Sequence, residues 1–293
     1  MDERDWIILR TLFHENNITK AAKMLYISQP ALTNRLKQIE KEFGVRIVER
    51  GRRGVTFTHQ GEYLAKSADQ ILLQIQKIKE NVRNMENKVA GTLRLGVSNF
   101  FAHYMLPDLL KLFKDQYPDI EFKVTTGWSS EITNLLYNQD IHIAFVKGDH
   151  SWKECKRLLF DEKICIASKE KIDINQLPYL PRIDYSTDYL LKTTVDHWWA
   201  ENYSKAPLIS IEVDKAETCK KMVVNGLGYA IMPTLELKDI DNLYRTDLTT
   251  KEGKPILRNT WMFYHEHSMK LNMVAAFVKF IEGIDLYNFD ISN

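Results

Sequence analysis

Apolar residues at Trp6, Leu9, Leu12 and Phe13 recur at the spacing of one helix face, and Asn16-Asn17 supplies a stop. Thr19 is placed to cap a short second helix, whose Ala21, Ala22 and Leu25 suit close packing on a crossing helix, and Tyr26-Ile27 makes a tight turn. Ser28 caps a third helix with Pro30 in its first turn, an inner stripe of Ala31, Leu32, Leu36, Ile39 and Phe43, and Gly44 at its end. Residues 45–50 alternate as a strand, Gly51-Arg52-Arg53-Gly54 reads as a turn, and residues 55–58 read as the returning strand. Residues 1–58 are thus expected to form three helices and a basic wing.

From residue 59 to 88 there is no proline, and no glycine after Gly61. Leu64, Ala68, Ile71, Ile75, Ile78, Val82, Met85 and Val89 follow one another at alternating steps of four and three. That spacing predicts a linker helix over 59–89 with a coiled-coil seam, β-branched at Ile75 and Val82 as two-stranded dimers prefer. At about 1.5 Å per residue the arm is about 45 Å long. After the hinge Ala90-Gly91 the pattern changes to strands over 92–97, 121–125 and 141–146 alternating with helices over 105–116 and 131–137, which implies an α/β, mostly parallel sheet. The alternation resumes from 164 to 232, followed by a strand over 261–264 and a helix over 271–281. Residues 90–293 therefore read as two lobes, about 92–163 with 268–293 and about 164–267, whose two crossovers leave a cleft for a small ligand.

The 293 residues hold 40 Lys+Arg against 39 Asp+Glu, with 44% hydrophobic and 27% charged residues, which excludes disordered, collagenous and disulfide-scaffold proteins. Three cysteines, Cys155, Cys165 and Cys219, form no CxxC pair, so neither a bridge framework nor a zinc site is expected of them, and a reducing compartment fits. No run of about 18 apolar residues occurs, and residues 2–5 are all charged where a signal peptide turns apolar. A cytoplasmic protein without membrane contact is expected. The charge is unevenly placed, at +5 over residues 1–92, −4 over the remainder and +6 between Asn17 and Thr58. A basic head on a mildly acidic body suits a polyanion partner, although charge alone fits a solvated surface equally well.

Two short helices joined by a tight turn, the second opening with polar residues, form a helix-turn-helix whose leading residues reach base edges. Ser28, Gln29 and Pro30 open that helix, with Thr33, Asn34 and Lys37 on its outer face. Gln pairs with adenine N6/N7, Thr meets a thymine methyl, and Lys reaches guanine or phosphate. Arg50, Arg52 and Arg53 of the wing suit a minor groove or backbone phosphates. In the body, Ser98-Asn99 ends a strand, Ser129-Ser130 opens a helix after Gly127-Trp128, and Lys147 and Arg258 lie beside strands. Together these offer hydroxyls, helix-start N–H groups and positive charge to a di- or tricarboxylate, whereas singly each serine reads as a cap and each cation as surface charge.

The run from Ala21 to Thr33, followed by Leu36, Ile39-Glu40, Phe43-Gly44, Arg50 and Thr58-xx-Gly61, resembles the winged helix-turn-helix of LysR-type transcriptional regulators. The resemblance implies a linker helix and a two-lobed, periplasmic-binding-protein-like effector domain, with the last helix packed on the first lobe. It also implies a double-stranded operator as partner, a homotetramer built as a dimer of dimers, and RNA polymerase as a further partner. Thr126-Gly127-Trp128-Ser129-Ser130-Glu131, His142-Ile143-Ala144, Glu217-Thr218-Cys219-Lys220, Gly226 to Pro233 and Arg258-Asn259-Thr260-Trp261 resemble the citrate-responsive catabolite control protein C and E branch of Gram-positive bacteria. That likeness implies citrate as effector and genes of the tricarboxylic acid branch as targets. Lys147-Gly148 stands where the branch leads one to expect arginine and glycine, a point charge in place of a bidentate fork. A different small anion or an amino-acid metabolite is the alternative effector.

His265-Glu266-His267 lacks the HExxH spacing and a third ligand in view, no GxSxG elbow or GxxxxGK loop occurs, and Gly226-x-Gly228 lacks a third glycine. No metal, cofactor or catalytic residue is expected, and the chain is not read as an enzyme. Trp198-Trp199 reads as packing, and redox sensing by Cys219 ranks below carboxylate sensing. A ligand-binding or enzymatic α/β protein that does not bind DNA is the remaining alternative, against which the Ser28-Gln29-Pro30 helix start and the wing both stand.

Overall fold

The computed structural model describes residues 1–51, 54–84 and 88–287, so Arg52, Arg53 and Met85 lie outside the described residues, as does the side chain of Arg50. The chain divides into two compact units, Met1–Glu86 and Asn87–Asn293.

The first unit contains α1 (Glu3–Glu15), α2 (Ile18–Met24), α3 (Gln29–Phe43), an antiparallel hairpin of β1 (Val48–Gly51) and β2 (Gly54–Phe57), and α4 (His59–Asn84). Asn16 ends α1 in the left-handed region, and Gly44 ends α3 the same way. The cap of α2 is Asn17, whose side chain accepts from the Lys20 amide, and not Thr19, which falls inside the first turn. Leu9, Leu12, Ala21, Leu32, Leu36 and Ile39 form the core, whereas Ala31 is exposed and Phe43 half-covers its ring against Trp6. A buried Asp5 on α1 receives two hydrogen bonds from the Arg35 guanidinium, one at 2.7 Å, which ties α3 to α1.

Leu64 and Ala68, expected on a dimer seam, are instead buried in this core. They face their own chain because the first turns of α4 pack on α1, a contact that Lys79 and Glu3 extend with an ion pair of 2.8 Å. Ile71 and Ile75 are half-buried, and Ile78 and Val82 stand exposed. Thr58 caps α4 by accepting from the Gly61 amide, while its hydroxyl donates to the Arg46 carbonyl at the foot of the wing. A Cβ at Gly61 would lie 2.0 Å from the Ile47 carbonyl oxygen, so only glycine fits beneath the wing.

In the second unit, parallel strands β3 (Gly91–Ser98), β4 (Ile120–Gly127) and β5 (Ile143–Lys147) stand in the order β4-β3-β5. The helix expected over 105–116 is preceded by a separate turn, giving α5 (Asn99–Tyr104) and α6 (Leu106–Gln116), and α7 (Ser129–Tyr137) follows β4. A long strand, β6 (Cys155–Ser168), leads into β7 (Pro181–Tyr185), α8 (Tyr189–Asn202), β8 (Leu208–Val213), α9 (Ala216–Val224), β9 (Ala230–Pro233) and β10 (Tyr244–Asp247), the last not foreseen from the sequence. β11 (Leu257–Tyr264) and α10 (Asn272–Glu282) complete the chain. β11 was expected in the second lobe, but it pairs with β5 and so belongs to the sheet of the first. β6 pairs with β11 along its first part and with β9 and β10 along its last, passing from one lobe into the other. α10 packs Val274, Phe277 and Val278 against Phe113 and Phe145 of the first lobe, as the resemblance implied.

Gly61→Ala is expected to destabilise the protein by about 2 kcal/mol, since crowding a fixed main chain costs roughly 1–3 kcal/mol. The check is urea unfolding, where the midpoint should fall with little change of slope.

Candidate DNA-reading surface and effector cleft

The opening of α3 is exposed. Ser28 Oγ accepts from the Ala31 amide at 3.3 Å and so caps the helix, leaving Gln29, Pro30, Asn34 and Lys37 exposed and Thr33 half-buried. Thr19 Oγ1 donates to Gln29 Oε1 at 3.4 Å, which orients the carboxamide and leaves its NH2 and a second lone pair for an adenine edge. Tyr26, in the left-handed region at the turn between α2 and α3, is almost wholly exposed. Sequence reasoning treated it only as a turn residue. Burial raises the Asp5 carboxyl, but the Arg35 guanidinium and the Asp2 amide more than offset this, so it stays ionised below the usual carboxylate range.

The two lobes of the second unit enclose a solvent-open cleft of about 690 Å³. Ser98, Asn99, Trp128, Ser129, Lys147 and Arg258, all selected from the sequence, line it together with Tyr185, Thr187, Asp188, Lys215, Glu217 and Glu236. Ser130 points elsewhere and is exposed, because it is the second residue of α7 and turns away as the helix winds. Ser129 Oγ accepts from the Lys147 amide at 3.0 Å, joining the start of α7 to the end of β5. The Trp128 amide is taken by Glu131 Oε2 at 2.9 Å, so the helix start is less open to an anion than the sequence suggested.

The two expected anion-binding cations are already engaged. Lys147 forms an ion pair with Glu162 of β6, both side chains being almost fully buried, and its Nζ lies 3.4 Å from the centroid of the Phe100 ring. Burial pushes the Lys147 ammonium pKa down and the Glu162 charge pulls against that. Arg258 pairs with Asp188, whose other oxygen caps α8 through the Leu191 amide at 3.0 Å. Burial also raises the Glu236 carboxyl, opposed by Lys147. Asp188, Asp214, Glu217 and Glu236 thus line the cleft against Lys147, Lys215 and Arg258, a carboxylate surplus that Glu162 behind Lys147 enlarges. Two donors in this lining have no partner, namely the Oγ of buried Ser98 and the Nε of Arg258. Burial pushes the thiols of Cys165 and Cys219 up to about 12, so neither is a thiolate at neutral pH.

A helix-turn-helix head with a wing, followed by a two-lobed α/β unit with a polar cleft, is the build of a DNA-binding regulator with a ligand-binding body. Residues 4–62 match the family described as "Bacterial regulatory helix-turn-helix protein, lysR family" and residues 86–284 the "LysR substrate binding domain". The chain belongs to the LysR family of DNA-binding transcriptional regulators and is not an enzyme. It is 44% identical to the uncharacterized HTH-type transcriptional regulator YraN of Bacillus subtilis (strain 168), over 97% of this chain and 98% of that protein. It is 35% identical to YkuM of the same strain, another uncharacterized HTH-type transcriptional regulator, over 94% and 95%. Full-length CbnR, solved with its target DNA, has the same fold with a TM-score of 0.69 at 18% identity, covering 96% of this chain and 99% of that one. Among the described residues no helix is long and apolar enough to cross a membrane.

Gln29→Ala is expected to weaken operator binding by about 1–3 kcal/mol while leaving binding to random DNA unchanged. Titration of both DNAs at one salt concentration measures this, and equal losses on both would refute base reading by Gln29. Lys147→Met alone is expected to cost about 3–5 kcal/mol of stability by stranding Glu162, and the double change Lys147→Met with Glu162→Leu to recover most of it. Denaturant midpoints of the single and double variants check the pair.

Proposed function

We propose that this LysR-family regulator has its operator affinity set by a small carboxylate bound in the cleft between the lobes. The observation that carries the reading is the pair of buried, unpartnered donors, Ser98 Oγ and Arg258 Nε, in the cleft wall. Unsatisfied buried donors are costly, and a carboxylate oxygen is the acceptor that both would take. The resemblance nominates citrate and the control of central carbon metabolism genes. The cleft's surplus of carboxylates favours a second reading, an effector with one carboxylate and an amine, because Lys147 and Arg258 are held by Glu162 and Asp188 and Lys215 is the one further cation in the lining. Gln29, Thr33, Asn34, Lys37 and the wing arginines engage the operator, and exposed Ile78 and Val82 provide the linker face for a second copy, with a dimer of dimers spanning paired half-sites. Effector binding shifts the balance between lobe arrangements and so changes operator affinity and recruitment of RNA polymerase.

Thermal unfolding of the full-length protein against citrate, other carboxylates and amino acids identifies the effector class, since binding to the folded state raises the midpoint with concentration. Ser98→Ala is expected to weaken effector binding about tenfold by calorimetry, the worth of one hydrogen bond, and to leave effector-free operator binding intact. Unchanged affinity would falsify the carboxylate site. A change at Glu236 separates the two ligands. Glu236→Gln is expected to weaken an amine-bearing ligand and to strengthen citrate, each read by calorimetry at one pH.

A further inference from the structure

β6 begins where its antiparallel neighbour β11 ends. Cys155 opens β6 opposite Tyr264 at the close of β11, which sets Glu154 and His265 against each other just beyond the ladder. His265 is buried, and its Nε2 lies 2.9 Å from the Leu136 carbonyl oxygen. A carbonyl only accepts, so Nε2 carries the hydrogen. On the other side of the ring, Nδ1 lies 2.6 Å from Glu154 Oε1, while Glu154 Oε2 accepts from the Glu266 amide at 2.9 Å. A ring nitrogen whose partner nitrogen already bears the hydrogen is an acceptor, and so is a carboxylate oxygen. At 2.6 Å a shared proton fits between them, and a metal ion can take its place only if the two donors part by somewhat under an ångström. The exposed ring of His267 stands 5.0 Å from that of His265, and the donor atoms of Glu154, His265 and His267 all lie within 4.8 Å of one another.

We propose that Glu154, His265 and His267 bind a divalent transition-metal ion, with zinc the best match, where β6 begins and β11 ends. Two imidazoles and a carboxylate form a zinc donor set, with water completing the fourth position on the open side. The Leu136 carbonyl supplies the outer acceptor that fixes the tautomer of a metal-bound histidine. Zinc bonds of about 2.0–2.2 Å set neighbouring donors about 3.3 Å apart, so Glu154 moves slightly outward and exposed His267 rotates in. The His265-Glu266-His267 run is short of a ligand in sequence because the third, Glu154, lies 111 positions away. The ion closes the end of the β6–β11 pair, seven positions along the chain from each of the cleft-lining residues Lys147 and Arg258.

The test is calorimetric titration of the chelator-stripped full-length protein with zinc chloride, paired with thermal unfolding. One ion per chain is expected to bind saturably and to raise the unfolding temperature as its concentration rises. His267→Ala changes an exposed side chain, and Glu154→Gln keeps an acceptor for the Glu266 amide. Each is expected to weaken zinc binding by about tenfold or more. Absence of saturable binding, or binding that both variants leave unchanged, overturns the site and leaves a proton as the cation between Glu154 and His265.

Discussion

The ion pair of Lys147 and Glu162, closed off from water, sets the register of everything around the cleft. Neither charge is tolerable alone in that position, because removing one leaves the other desolvated and unpaired. The end of β5 and the middle of β6 must therefore meet at one place. Further groups are organised around the pair. Ser129 Oγ holds the Lys147 amide, the Phe100 ring lies beneath the ammonium, and Glu162 Oε2 receives the Leu235 amide from the turn after β9 at 3.1 Å. Elements from both lobes thus converge on a single pair of charges, and the cleft wall inherits its shape from them.

The head was legible in the sequence because its signals are local. Ser28 with Pro30, the left-handed Gly44 and the Asn16 stop each act within a turn of the helix end they define. Thr19 was misjudged because Asn17 offers the same oxygen two residues earlier, with an extended backbone suited to a cap. The linker seam was half legible. Its spacing was correct, but periodicity does not reveal whether an apolar face meets its own chain or another, and Leu64 and Ala68 meet their own. In the body the lining of the cleft could be located at strand ends and helix starts, yet its charge balance could not. Asp188 lies 70 positions from Arg258, and Glu162 sits in a strand whose exposed-looking polar run hid its burial. Ser130 failed for a simpler reason, since adjacent residues of a helix face different ways.

The joint between wing and linker helix follows from one small residue. Thr58 bonds upward to Arg46 and forward to Gly61, and the Ile47 carbonyl fills the space a side chain would need. The wing's foot, the start of α4 and the core of the head are therefore a single packed element, and the family motif Thr58-xx-Gly61 records a steric requirement as well as ancestry.

β6 is hydrogen-bonded continuously into both lobes, with an extra residue, Leu159, where its pairing with β11 shifts between Thr260 and Trp261. At this crossing the lobes are joined by a paired strand, so a closing motion that keeps the ladder intact is taken up there as added twist. Twist in a paired strand is limited and right-handed, and a bulge is where it is most readily increased. Along β6 a change between the lobes is thereby confined to a short, directed twist whose easiest seat is the bulge at Leu159.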